Sequence, residues 1–242
     1  MREKRNSVRS EKPMPVKEAS STKDRIYRTI KERIIRLDLK PGDVLSDRKL
    51  SEELKVSRTP VREALNLLQK ENYVRQQHGR GFCVSEISLK NIEDLYDVRI
   101  ALESAALRQA AKRVVIKHVE KMEQMLRRHR DLVKKFNPRG TFLEDAEFHK
   151  VFAAMTGNEY LSELLGSIFE RIEMLRNIEG ISRERIRLAL EQHAEILDCF
   201  KKGRHEDAER LLCKHLEESK ENVLSRIKSR FQILYFESST RS

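Results

Sequence analysis

No stretch of this chain has the roughly 20 consecutive apolar residues that a membrane-spanning helix needs. The basic opening residues likewise lack the apolar segment of a secretory leader. Membrane insertion and export are not expected, and the expected location is the cytoplasm. Cysteine is scarce, and Cys83, Cys199 and Cys213 have neither zinc-finger nor disulfide-framework spacing, which suits a reducing compartment. Motifs of chemistry are missing too. The sequence holds no His-Glu-x-x-His, no nucleophile motif and no phosphate-binding loop, so an enzyme is not expected.

What is abundant is charge. The 242 residues are 37% charged and 38% hydrophobic, with a formal net charge of +11. Length allows two modest domains, and the charge is divided unevenly between them. Residues 1–88 hold 21 Lys+Arg against 13 Asp+Glu, whereas residues 89–242 hold 29 against 26. A basic excess gathered at one end fits a partner made of phosphates.

The first 21 residues carry scattered charge, Pro13 and Pro15, and few apolar side chains; they read as a disordered basic arm. Ile26, Ile30 and Ile34 then recur at a spacing of four, which predicts a helix from about Thr22. Lys40-Pro41-Gly42 makes a turn, and Ser46 is placed to cap a second helix ending near Leu54-Lys55. Val56 plugs the next turn, Ser57 is placed to cap a third helix, and Pro60 falls in that helix's first turn. Val61, Leu65 and Leu68 face a core, while Ser57, Arg58, Thr59 and Arg62 project from the exposed start. This is the build of a helix-turn-helix, whose second helix reads base edges in the major groove. Arginine suits that task because its planar fork bonds guanine O6 and N7 together. A surface helix with solvated arginines is the plainer alternative, but the helix dipole would favour acids, not cations, at that end. Arg48 is placed to reach a phosphate or a base. Residues 72–75 and 82–84 read as a β-hairpin whose tip, His78-Gly79-Arg80-Gly81, has the glycines that a wing entering the minor groove requires.

Leu50-Ser-Glu-x-Leu-x-Val-Ser-Arg-Thr-Pro-Val-Arg-Glu-Ala-Leu65, with Lys40-Pro41-Gly42 and Leu45 before it, closely resembles the winged helix-turn-helix of the GntR family of bacterial transcription regulators. The resemblance implies a DNA reader over residues 22–85, with His78 and Gly79 at a DNA-contacting tip.

From Leu89 onward the periodicity is helical, with helices expected at 89–113, 116–136, 140–156, 158–178, 182–202 and 205–234. They form an all-α antiparallel bundle over residues 89–234, so the fold class is mainly α. Asp97-Val98-Arg99-Ile100-Ala101-Leu102-Glu103, Asp145-x-x-Phe148-His149, Gln192-His193-x-x-Ile196-Leu197 and Leu211-x-x-x-His215-Leu216 resemble the FCD effector-binding domain of the FadR-type GntR subgroup.

Asp145 and His149 lie four apart on one helical face, and His193 and His215 share apolar faces of two further helices. One carboxylate and three imidazoles suit a divalent first-row metal, although spacing alone leaves each histidine open to a hydrogen-bonded core role. The resemblance implies that these four are the metal ligands, zinc first, with nickel or manganese also suited. His118, His129 and His205 lie in strongly charged stretches and read as solvated. Arg99 continues the stripe of Ile92, Leu95, Tyr96 and Leu102, so its guanidinium turns inward, toward either Glu103 or an acidic effector. Asn222, two turns past His215, either lines the same cavity or is a simple core amide.

The expected function is a homodimeric regulator, a repressor relieved by its ligand, bound to a palindromic DNA operator. The expected effector is a small carboxylate, a hydroxy or sugar acid, held by the metal, Arg99 and Asn222. A metal-dependent enzyme and a regulator that answers to metal alone are the rival readings.

Overall fold

The computed structural model describes residues 21–77, 81–113, 116–179 and 182–239. The expected arm, apart from Ser21, and the wing-tip residues His78, Gly79 and Arg80 lie outside them. Helix α1 (Thr22–Ile35) begins at a reciprocal cap: the Ser21 hydroxyl accepts from the Asp24 backbone N–H, and the Asp24 carboxylate accepts from that of Ser21. Ile26, Ile30 and Ile34 form its buried stripe. Strand β1 (Val44–Leu45) leads to α2 (Asp47–Leu54), whose cap is the Ser46 hydroxyl accepting from the Lys49 N–H at 3.3 Å. Lys55 ends α2 in the left-handed conformation, with φ 55°, and turns the chain into α3 (Arg58–Lys70).

Ser57 does not cap α3 as expected; it stands at the N-cap position, but its side chain makes no capping bond. The reason is Pro60, which occupies the third helical position and lacks the N–H that such a cap would satisfy. β2 (Val74–Gln77) and β3 (Gly81–Val84) form the expected hairpin, pairing Val74 with Val84 and Gln77 with Gly81. β1 adds itself to β3, with Leu45 opposite Phe82, giving the strand order β1-β3-β2. A two-residue strand is too short to show alternation, so the sequence did not reveal it.

The second unit comprises α4 (Leu89–Ala111), α5 (Ile116–Lys134), α6 (Pro138–Thr156), α7 (Glu159–Glu179), α8 (Arg183–Lys201) and α9 (His205–Ser239). Their order is the expected one, and α9 runs longer than expected. α6 also starts earlier. Asn137 caps it by accepting from the Gly140 N–H at 3.0 Å, so Pro138, Arg139 and Gly140 form its first turn, not a break. Glycine is required there because a Cβ on residue 140 would stand 2.9 Å from the Asn137 side chain. α4 packs against α9 and α6, α5 against α6 and α8, and α8 against α9. α7 packs inward on α4, α6 and α9 and outward on α1. No helix among the described residues is long and apolar enough to cross a membrane.

Leu65 of α3 is fully buried in the core shared by α1, α3 and the sheet, so its packing fixes how α3 is presented. Leu65→Ala should destabilise the first unit by about 2–5 kcal/mol, read by urea denaturation. A loss below about 1 kcal/mol would show that this packing does not hold α3 in place.

Candidate functional site

Six helices of the second unit converge on one buried polar cluster. Asp145 and His149 come from successive turns of α6, His193 from α8 and His215 from α9, and all four are buried. One ligand-type atom from each lies within 4.8 Å of the other three. The Nε2 of His193 is 3.1 Å from that of His149, 3.2 Å from that of His215 and 3.6 Å from the Asp145 carboxylate. Ligands about 2.0–2.1 Å from a shared first-row ion stand about 3 Å apart at its coordination edges, which the two His193–histidine spacings match.

The outer nitrogens set the tautomers. His149 Nδ1 is 2.5 Å from the Glu103 carboxylate, which is held below the usual carboxylate range. Burial opposes its ionisation, but the His149 imidazole and the Arg99 guanidinium outweigh that. An ionised carboxylate only accepts, so Nδ1 carries a proton and donates, and the His149 Nε2 faces the cluster. His215 Nδ1 donates to the Gln192 amide oxygen at 2.8 Å, and the Gln192 amide nitrogen is committed to Glu218 at 2.6 Å. His215 therefore turns a lone pair inward. His193 lies parallel to Phe148, with ring centroids 4.3 Å apart, and its Nδ1 has no partner. Burial pushes His193 and His215 well below the usual histidine range, which keeps them neutral. Burial works against Asp145 as an anion, yet the Arg176 guanidinium, 3.5 Å away, brings it well below the usual range. Three imidazole Nε2 atoms facing one another beside an ionised carboxylate are the donor set that a divalent cation takes.

Arg99 is 1% exposed. Its Nε donates to Glu103 at 2.6 Å, and its guanidinium lies over the Phe169 ring, but Nη1 has no partner. Of its two expected partners, the internal one is present. Asn222 is half-buried on α9. Nearer the cluster is Ser219, one turn past His215, whose hydroxyl stands 3.2 Å from that of Tyr96 and 3.5 Å from Arg176.

His129 corrects an expectation. It is 2% exposed, not solvated, because it continues the buried α5 face of Met122, Met125 and Leu126. The charges around it lie on the other faces of α5, and helical period outranks local charge. Arg176 and Arg185 were also missed. They join His129, Thr141 and Asp145 around a cavity of about 10 Å³, room for about one water.

On the first unit, Arg48, Ser57, Arg58, Thr59 and Arg62 are all exposed along α2 and the start of α3. Asp47 organises this face: it accepts from Arg58 at 2.9 and 3.0 Å, and its carboxylate is 3.6 Å from Arg62. Arg48 pairs with Glu52 at 3.2 Å.

α7 touches both units. Its Glu170 meets Lys31 of α1 at 2.6 Å and accepts from the Tyr73 hydroxyl at 3.4 Å. Arg171 donates to the Glu71 backbone carbonyl, Asn177 donates to that of Ile35 at 2.8 Å, and Met174 packs on the first unit's core. Among these anchors along α7, Arg176 turns to the bundle and reaches Asp145.

Two family models match the chain: the description "Bacterial regulatory proteins, gntR family" over residues 22–84, and the FCD domain over residues 94–218. The Nta operon transcriptional regulator of Aminobacter aminovorans is 29% identical over 196 residues, covering 81% of this chain and 91% of that protein. The transcriptional repressor RspR of Escherichia coli K12 is 26% identical over 198 residues, covering 82% and 87%. Among solved structures, E. coli McbR/YncC shares the fold with a TM-score of 0.72 at 20% identity, covering 86% of this chain and 99% of its own. A DNA-reading helix-turn-helix, a helical sensor unit and relatives that are regulators, not enzymes, give one conclusion: the chain belongs to the GntR family of bacterial transcriptional regulators and carries an FCD domain.

Proposed function

We propose that this regulator is a repressor whose FCD unit holds a divalent ion through Asp145, His149, His193 and His215 and senses a small carboxylate there. The observation that carries the reading is the facing set of three Nε2 atoms and one carboxylate, with Glu103 and Gln192 fixing two of the rings from behind. A bound divalent ion supplies Lewis acidity and open coordination positions for oxygen donors. Zinc suits the set, and nickel or manganese would as well. Charge then selects the ligand. Asp145 and Glu103 balance Arg99 and Arg176 within the cluster, so a divalent cation leaves an excess of +2 that an anion offsets. The unpartnered Nη1 of Arg99 is a ready donor to such an anion, with Asn222 farther along α9.

The reading head is Arg58, Thr59 and Arg62, supported by Ser57, Arg48 and the wing tip at His78, Gly79 and Arg80. One small winged unit makes few contacts, so two copies on a palindromic operator are the route to specificity; the protein acts as a homodimer in the cytoplasm. Asp47 holds Arg58 and Arg62 in the free protein, which keeps their guanidiniums together until base edges replace the carboxylate.

Ligand binding regulates only if it favours one arrangement over another. α7 offers the connection, because an anion that draws Arg176 away from Asp145 acts on the helix that carries Glu170, Arg171 and Asn177 onto α1 and Glu71. A coupling of about 1–3 kcal/mol changes operator affinity several-fold to a hundredfold.

Arg62→Ala should weaken operator binding by about 1–3 kcal/mol and relax preference at one base pair per half-site, measured by binding to a set of singly substituted operators. Uniform weakening across all sequences would reduce Arg62 to a phosphate contact. Elemental analysis should find one divalent ion per chain in wild type and a loss of most of it in His193→Ala/His215→Ala. Equal metal content in the two preparations would contradict the site.

A further inference from the structure

Resting on the reading of a carboxylate sensor, we propose that the effector is a dianion, and that Arg176 and Arg185 form a second anion subsite beside the metal-ligand cluster. Both arginines wall the cavity that Asp145 also walls, together with His129 and Thr141. Both side chains are about nine-tenths buried, at 10% and 12% exposure. Neither guanidinium is satisfied. Among the described residues the polar contacts of Arg176 are long, 3.5 Å to Asp145 and to Ser219, its guanidinium lies over the Phe142 ring, and its Nε has no acceptor. Arg185 has Glu218 at 3.9 Å from one terminal nitrogen, and the other has no acceptor. The buried Nε2 of His129 has no partner either.

Two neighbouring guanidiniums repel one another, and buried donors without acceptors cost free energy. An oxyanion between them removes both penalties, and the planar fork of arginine accepts a carboxylate or a phosphoryl group through paired hydrogen bonds. Arg185 lies in the first turn of α8, where the helix dipole favours an anion as well. Asp145 belongs to both places, so a molecule with one anionic end at the metal-ligand cluster puts its other end at this subsite. The cavity has room for about one water. An anionic group therefore enters only by displacing Arg176 from Asp145. A monocarboxylate reaches only the first subsite and leaves the arginine pair as it was.

The test is calorimetric titration of zinc-loaded full-length protein with chain-matched acids. Propionate is compared with malonate and butyrate with succinate, and phosphonoacetate tells a phosphoryl group from a carboxylate at the second end. The dianions should bind at least tenfold more tightly than their monoanionic partners. Arg185→Gln should abolish that advantage with zinc content unchanged, and Arg185→Lys should keep part of it. Equal affinity for mono- and dianions in wild type overturns the subsite while the carboxylate sensor stands, and this comparison needs no variant to fold. An advantage that survives intact in Arg185→Gln overturns the assignment of Arg185. Failure of every acid to bind zinc-loaded protein overturns the subsite and the sensor reading together.

Discussion

Burying ionised groups inside a helical bundle is expensive, and the second unit is arranged around meeting that cost. Arg99, Glu103 and Asp145 are all buried with three imidazoles between them. Arg99 is paired within α4 by Glu103, and the other buried groups have a partner from another helix: Glu103 of α4 against His149 of α6, Arg176 of α7 against Asp145 of α6, and Gln192 of α8 against His215 of α9. A slip of one helix by a turn would leave a charge without its partner, a loss of about 3–5 kcal/mol for a buried pair. The cluster thus fixes helix register more firmly than the surrounding leucines and phenylalanines do, since apolar contacts are easily exchanged for one another. Among the described residues several donors in it still lack acceptors, namely Arg99 Nη1, Arg176 Nε and Arg185 Nη2. Their shared sign of demand, for negative charge and lone pairs, is what supports the proposal that an anion is sensed here.

Its placement matters because α7 serves two masters. Glu170, Arg171, Met174 and Asn177 face the DNA-reading unit, and Arg176 faces the cluster. Lys31 shows how closely the two units are joined. Burial works against its charge, but hydrogen bonds to Glu170, Glu71 and Tyr27 raise its pKa above the usual lysine range. The lysine therefore stays charged, tying α7 to α1 and α1 to the end of α3.

Sequence showed most of what periodicity can show. The Ile26-Ile30-Ile34 stripe, the α2–α3 turn and the six long helices follow from spacing and caps, and the Asp145–His149 pair follows from a four-residue step. Contacts between distant segments were less legible. The three histidines could be placed on inward faces, but their meeting depends on helix packing that resemblance alone supplied. His129 was hidden by its charged neighbours, although Met122, Met125 and Leu126 marked its face. Arg176 and Arg185 carry no motif; their burial comes from where α7 ends and α8 begins. The cap expected of Ser57 failed because Pro60 removes the N–H it would have bound, a conflict present in the sequence and overlooked.

If the cluster and the reading head are coupled, occupancy of the cluster is felt at the head through α7. Hydrogen exchange of zinc-loaded full-length protein, followed by mass spectrometry with and without saturating succinate, measures this directly. Altered protection is expected in α6 and α8 around the cluster, along α7, and in α1 and the Glu71–Tyr73 segment that α7 touches. Change confined to the cluster helices, with α1 and residues 71–73 exchanging as before, would contradict that coupling.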